Sequence, residues 1–141
     1  ERAADCTVII KAAAVADYRP AVRAPGKIKK AKGPDTLELV RNPDILAELG
    51  KVKGDRLLVG FAAETDDLLR NAGKKLKEKN LDMLVANDVS QVGAGFDVDT
   101  NIVTLLFRDG RTEPLSVMGK DKLADVILDR IVELRRLKSE G

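Results

Sequence analysis

A chain of 141 residues can bury a sizeable core within one domain, and its mix of 34% charged and 44% hydrophobic residues fits an aliphatic α/β domain. Aromatic residues make up only 3%, too few for a stacking surface on single-stranded nucleic acid, and a net charge of +2 excludes a general polyanion binder. Histidine is absent and Cys6 is the sole cysteine, which excludes a Ser–His or Cys–His nucleophile pair, an intrachain disulfide and a Cys/His zinc site within the chain. The chemistry left is that of lysines, carboxylates, backbone groups and a hard, oxygen-liganded cation. No apolar run is long enough to span a bilayer and no secretory signal pattern is present, so a cytoplasmic protein with no membrane or nucleic-acid partner is expected.

Glu1-Arg-Ala-Ala-Asp5 reads as the tail of a helix running straight into a strand, which predicts a fragment whose upstream βα units are missing. Residues 7–10 are β-branched and predict a buried central strand with Cys6 as a buried, inert thiol. Residues 12–16 are almost all small, and Pro20 is expected to end regular pairing. In an open α/β sheet ligands sit beyond the carboxyl ends of the strands, where Asp17 would project. The alternative is that the alanines pack beneath a helix and Asp17 caps a turn.

The stretch from Pro25 to Pro34 holds Gly26, Lys27, Lys29, Lys30, Lys32 and Gly33, too basic and too broken for a packed element. It reads either as a solvated charge run or as a phosphate-gathering flap. Residues 36–40 alternate as a short strand. A helix follows, for which Asn42 suits the N-cap, Pro43 the first helical position, Asp44 the macrodipole and Gly50 the close.

A second buried strand covers residues 56–61 and puts Phe61 at its carboxyl end, a place for a nucleobase to pack as well as for a core ring. Thr65 is expected to cap the next helix, with Asp66 and Asp67 in its first turn, and residues 68–79 to be helical. Lys75 and Lys79 share a helix face, an unfavourable pairing unless an anion lies between them, although solubility and the helix terminus also account for them. Residues 81–88 form a third such strand. Asp109-Gly110 between alternating segments predicts a hairpin within residues 102–115, whose antiparallel edge needs cover. A terminal helix over residues 120–137 carries Leu123, Val126, Ile127, Ile131 and Leu134 at helical spacing.

The blocks Ala13-Ala-Val-Ala-Asp-Tyr-Arg-Pro20, Lys27-Ile-Lys-Lys30, Asn42-Pro-Asp-Ile45, Gly60-Phe-Ala-Ala-Glu-Thr65 and Ala86-Asn-Asp88 together resemble, in order, the CTP-dependent bacterial phosphopantothenoylcysteine synthetases. Those enzymes usually form the carboxyl-terminal half of a bifunctional coenzyme A biosynthesis protein. The resemblance implies an α/β fold, a Rossmann-like three-layer mainly parallel sheet with an antiparallel edge hairpin that here lacks its amino-terminal βα units. It implies a ligase that activates 4′-phosphopantothenate with CTP to an acyl-cytidylate and then joins it to cysteine, releasing CMP and pyrophosphate, with Mg2+ assisting. It places Asp17, Ala14 and the turn of Pro43, Asp44, Ile45 and Leu46 at the nucleotide, adds Phe61, Lys75 and Lys79 as further CTP contacts, and makes Lys27 the flap lysine with a catalytic role. A homodimer through the edge region of residues 89–115 is expected, with FMN only on a fused decarboxylase domain outside the chain.

The family's glycine-rich segment and its Asn-containing loop for the acyl intermediate precede these blocks and are absent from residues 1–141, so CTP binding with little complete turnover is expected. Two other readings stay open, an NAD(P)-dependent Rossmann oxidoreductase and a non-catalytic nucleotide-binding or dimerisation module. The chain has no Gly-x-Gly-x-x-Gly, and Tyr18 has no lysine at the spacing that short-chain dehydrogenases use.

Overall fold

The computed structural model describes residues 2–27, 36–64, 67–90 and 100–140. After a 3-10 turn at Arg2–Asp5 come β1 (Val8–Lys11), β2 (Tyr18–Pro20), β3 (Leu39–Arg41), α1 (Ile45–Lys51), β4 (Leu57–Glu64) and α2 (Leu68–Glu78). The chain continues through β5 (Met83–Asp88), β6 (Thr100–Asn101), β7 (Val103–Phe107), β8 (Thr112–Pro114), β9 (Met118–Gly119) and α3 (Lys120–Glu140).

The main sheet runs in the order β1-β4-β5-β7-β8. β1, β4 and β5 are parallel, β7 is antiparallel to β5 and β8 antiparallel to β7, so β7 alone opposes the common direction. The period-two alternation of a strand sorts the core into two layers. Leu57, Val59, Met83, Val85, Leu105 and Phe107 pack under Leu123, Ile127 and Ile131 of α3. Leu58, Leu84, Ala86 and Leu106 face the other way, onto Leu46 of α1 and Ala72 and Leu76 of α2. Burying each such leucine or isoleucine contributes about 1.5–3 kcal/mol. The three-layer α/β architecture is the one expected, as are the edge hairpin and the terminal helix. Gly110 supplies the left-handed turn at φ +92° and Asp109 accepts the amide of Arg111 at 2.9 Å. The Arg130 guanidinium clasps the Glu113 carboxylate at 2.7 and 2.6 Å, which ties β8 to α3 and holds that carboxyl below its usual range against the opposing effect of burial.

Several local expectations are corrected. β1 is the edge strand of the described sheet, with Ile10 exposed, and Cys6 is exposed just ahead of it, because β-branching selects a strand without deciding its place in the sheet. Pro20 is the last paired residue of its strand, as expected, but the strand is β2 of a separate antiparallel ribbon with β3, where it sits opposite Leu39, and not the strand that begins near residue 7. The strand expected over residues 36–40 is β3, Leu39–Arg41. The N-cap of α1 is Asp44, whose Oδ1 accepts the Ala47 amide at 3.0 Å, and not Asn42. Gly50 lies inside α1; a Cβ there would stand 2.1 Å from the Lys79 carbonyl oxygen, so its role is close approach to the end of α2. Asp67 is the N-cap of α2, at φ 44°, rather than a first-turn residue; Thr65 and Asp66 lie outside the described residues. Phe61 falls within β4, which continues to Glu64. Among the described residues no helix is long and apolar enough to cross a membrane.

Candidate functional site

Because β1, β4 and β5 are parallel, the chain leaves all three on the same side of the sheet. A cleft of about 520 Å³ opens there, walled by Ala12, Ala13 and Ala14 from the loop after β1, Phe61 from β4, Lys75 from α2 and Asn87 from β5. Phe61, 36% exposed, forms part of the cleft wall. A smaller hollow of about 70 Å³ shares Val15 and Asp17 with this cleft and adds Asn42, Pro43, Asp44, Ile45 and Lys79.

Hydrogen bonds join the two hollows. Asn42 donates from Nδ2 to the Ala16 carbonyl at 2.7 Å and from its amide to the Asp17 carbonyl at 2.8 Å, while Arg19 donates to the Asn42 side chain at 2.9 Å. The loop carrying Asp17 is thereby held against the approach to α1. Asp44 caps α1 with one oxygen and accepts the Lys79 ammonium with the other at 2.9 Å. Burial pushes the Asp44 carboxyl up, but the Ala47 amide and the Lys79 ammonium outweigh it and hold the group below its ordinary value.

Ala14, Asp17, Phe61 and Lys75 thus come together in the cleft, and Pro43, Asp44, Ile45 and Lys79 with Asp17 in the smaller hollow. Leu46 does not join them: its side chain is 5% exposed and belongs to the core, which leaves only its backbone in the first turn of α1. Lys27 is exposed and lines neither hollow; Lys29, Lys30 and Lys32, expected with it on the flap, lie outside the described residues. Sequence reasoning missed Asn87, Asn101 and Lys120 in the cleft wall. Asn87 Nδ2 donates to Asn101 Oδ1 at 3.3 Å, and its Oδ1 is buried with no partner among the described residues. A polar residue following the apolar run of β5 was the available signal, the same one that singled out Asp17. A further hollow of about 640 Å³ lies at the amino ends of β4 and β5 around a buried Lys53–Asp82 pair; no motif points to it. Among the described residues no group of three or more Cys, Asp or Glu side chains could hold a metal ion by itself.

These features define a three-layer α/β domain with its ligand cleft at the carboxyl edge of the sheet, walled by lysine and carboxylate. The chain belongs to the family described as the DNA/pantothenate metabolism flavoprotein C-terminal domain, whose pattern matches residues 1–134. It is 50% identical over 133 residues to the coenzyme A biosynthesis bifunctional protein CoaBC of Bacillus subtilis (strain 168), which covers 94% of the chain and 33% of that relative. A cysteine/cysteine sulfinic acid decarboxylase of an unknown prokaryotic organism is 43% identical over 131 residues, 92% of the chain and 36% of the relative. The solved C-terminal domain of a coenzyme A biosynthesis bifunctional protein CoaBC superposes with a TM-score of 0.74 at 39% identity, over 96% of the chain and 58% of that structure. The chain therefore spans about a third of the length of these curated relatives.

Proposed function

We propose that this chain is the CTP-binding part of a phosphopantothenate–cysteine ligase of coenzyme A biosynthesis. The observation that carries the reading is the meeting of Ala14, Asp17, Phe61 and Lys75 in one cleft that continues into the hollow of Asp44 and Lys79. In this reading the 4′-phosphopantothenate carboxylate attacks the α-phosphate of CTP, expelling pyrophosphate, and the cysteine amine then displaces CMP from the acyl-cytidylate. Attack of one anion on another is opposed by charge repulsion, which the lysines at the cleft offset. Lys27 serves as the catalytic flap lysine, closing over the mixed anhydride and excluding water.

In this reading Mg2+ would assist by offsetting the negative charge that gathers on the phosphate oxygens. In this reading the chain supplies the nucleotide part of the ligase domain, and FMN would be held only by a decarboxylase domain outside it. The location is cytoplasmic. The assembly is a homodimer through the edge region of residues 89–115, where the β7–β8 hairpin ends the sheet; sedimentation of hairpin-surface variants tests this.

Calorimetry with CTP, ATP and NADPH decides among the readings. The ligase reading expects a marked preference for CTP, an oxidoreductase a preference for NADPH, and a non-catalytic module no marked preference for CTP.

A further inference from the structure

We propose that the hollow at the amino ends of β4 and β5 is a second ligand site, one that takes an amphiphilic anion: an apolar body ended by a carboxylate or phosphate head. It lies at the opposite end of these strands from the cleft and does not rest on the nucleotide reading.

This hollow is the larger of the two, about 640 Å³ against about 520 Å³, and its size is that of a small-molecule site. Its wall combines an apolar share from Leu57, Phe107, Leu134 and Leu137 with a cationic share from Lys53, Arg108 and Lys138. Leu137, near the end of α3, is 49% exposed, so a guest would cover apolar surface that the fold leaves open to water.

The two carboxylates of the wall are already engaged. Asp82 accepts both Lys53 bonds at 2.8 Å and the Leu58 amide at 2.7 Å, while Asp109 accepts the amide and Nε of Arg111 at 2.9 and 2.7 Å. Arg108 and Lys138 are in a different state. The Arg108 amide donates to the Asp82 carbonyl at 3.0 Å and its Nε to the Leu81 carbonyl at 3.2 Å, and Nη2 bonds the Asn80 side-chain oxygen. Asn80, which turns the chain after α2 at φ 55°, donates in turn from Nδ2 to the Gly50 carbonyl at 2.7 Å. The guanidinium is thus anchored on one side, and of its five N–H groups those on Nη1 bond nothing among the described residues. Lys138 reaches only the Arg56 carbonyl, at 3.5 Å, and keeps donors as well. A donor held in place before the ligand arrives loses little freedom on binding. The three cations also act on one another: burial pushes the Lys53 ammonium down, and the charges of Arg108 and Lys138 push it the same way. An anionic head beside Arg108 and Lys138 relieves that repulsion while the apolar body lies along the leucines.

The test uses calorimetry and amide chemical shifts of the full chain with decanoate and decyl phosphate, below their micelle concentrations. At least one should bind saturably at one site and shift the amides of Arg108, Asp109, Leu137 and Lys138 more than those of Ala14, Asp17 and Phe61; the tighter of the two names the head. Acetate, inorganic phosphate and decyltrimethylammonium should not bind there at the same concentrations, since each lacks the body or carries the wrong charge. Replacing Arg108 also removes its bonds to Leu81 and Asn80, so two exposed positions carry the test instead. Lys138→Gln should weaken the tighter amphiphile about tenfold, the range of one charge-assisted hydrogen bond, and Leu137→Gln should weaken it several-fold through the lost apolar contact. The proposal is overturned if neither amphiphile binds saturably, if decyltrimethylammonium binds as tightly, if the shifts fall in the cleft, or if both variants stay within about twofold of wild type. None of these results bears on the preference for CTP, which is measured separately.

Discussion

Two lysine–aspartate pairs of nearly equal length sit in opposite surroundings. Lys53 meets both oxygens of Asp82 at 2.8 Å, with the side chains 7% and 10% exposed; Lys79 meets Asp44 at 2.9 Å, with 26% and 50% exposed. Asp82 also accepts the Leu58 amide at 2.7 Å and lies 3.5 Å from the Arg108 guanidinium. Burial pushes the Lys53 ammonium down, Arg108 and Lys138 add to the effect, and the bond to Asp82 resists it. The inner pair serves the fold, binding the segment before β4 to the start of β5 through two Lys53 bonds to Asp82 and the Leu58 amide. The outer pair keeps donors for a guest. Residue type and distance do not separate structure from function here; burial and the count of remaining partners do.

The strongest way to break this comparison is to remove one half of the inner pair. Asp82→Ala leaves a buried ammonium and the Leu58 amide without their acceptor, and it should cost about 3–5 kcal/mol in urea denaturation. Replacing both residues, as Lys53→Met with Asp82→Leu, should cost less than the single change, because no buried charge is stranded. A single-variant loss below about 1 kcal/mol would mean that the inner pair behaves as a surface pair, and the contrast would collapse.

Lys27 stands outside both pairs, with no carboxylate partner among the described residues, and it sharpens the functional side of the contrast. If the proposed ligase reading holds, Lys27→Gln in a complete enzyme should lower kcat about a hundredfold, the scale of losing one charge-stabilising donor in the transition state, and change CTP affinity far less. Paired binding and turnover measurements check this. Equal losses in both would make Lys27 one more nucleotide contact instead of a flap residue.

Gly50 links the fold to the outer pair. A Cβ at that position would lie 2.1 Å from the carbonyl oxygen of Lys79 and 2.9 Å from its carbonyl carbon, so backbone must move. Gly50→Ala should cost about 1–3 kcal/mol and, by displacing Lys79 from Asp44, weaken CTP binding as well. Melting curves and calorimetry on the same preparation check the two together. A loss of stability with unchanged affinity would show that the outer pair does not depend on how α1 seats on α2.

The elements legible in the sequence are those whose signal is local. Asp109-Gly110 demands a turn that only a few residues accept, and the α3 stripe of Leu123, Ile127 and Ile131 can bury one face in only one way. The misread positions are those where tertiary partners choose between local options. Asn42 and Asp44 are equally good caps on propensity, and the decision falls to Ala16 and Arg19, which engage Asn42 and leave Asp44 to the helix. Cys6 and β1 carry the composition of an interior strand, yet position in a sheet depends on which strands flank it. Asp17 and Phe61 stand out through ordered blocks of sequence and Lys75 and Lys79 through their spacing on one helix, and the structure puts the first three in the cleft and Lys79 in the smaller hollow beside it. Asn101 and Lys120 reach the cleft because β6 pairs with β9 immediately before α3, a contact between distant residues that no local pattern announces.

The smallest effect separates the two jobs of Asp44 by pH. Its folded-state carboxyl lies below its ordinary value, burial being outweighed by the Ala47 amide and the Lys79 ammonium. The unfolded chain therefore takes up that proton first as pH falls, so the stabilisation is present above the ordinary aspartate range and is lost as pH drops below about 4 through the folded value. Asp44→Asn caps α1 without titrating. The wild-type chain should exceed this variant in stability by a few tenths of a kcal/mol near pH 7, since a half-exposed pair is screened, and the excess should shrink towards zero on acidification. Parallel melts of the two proteins between about pH 3 and 7 measure it. A difference that stays constant across that range would mean the carboxylate charge contributes nothing to α1 or to Lys79, leaving Asp44 a neutral cap and the outer pair a chance approach of two side chains.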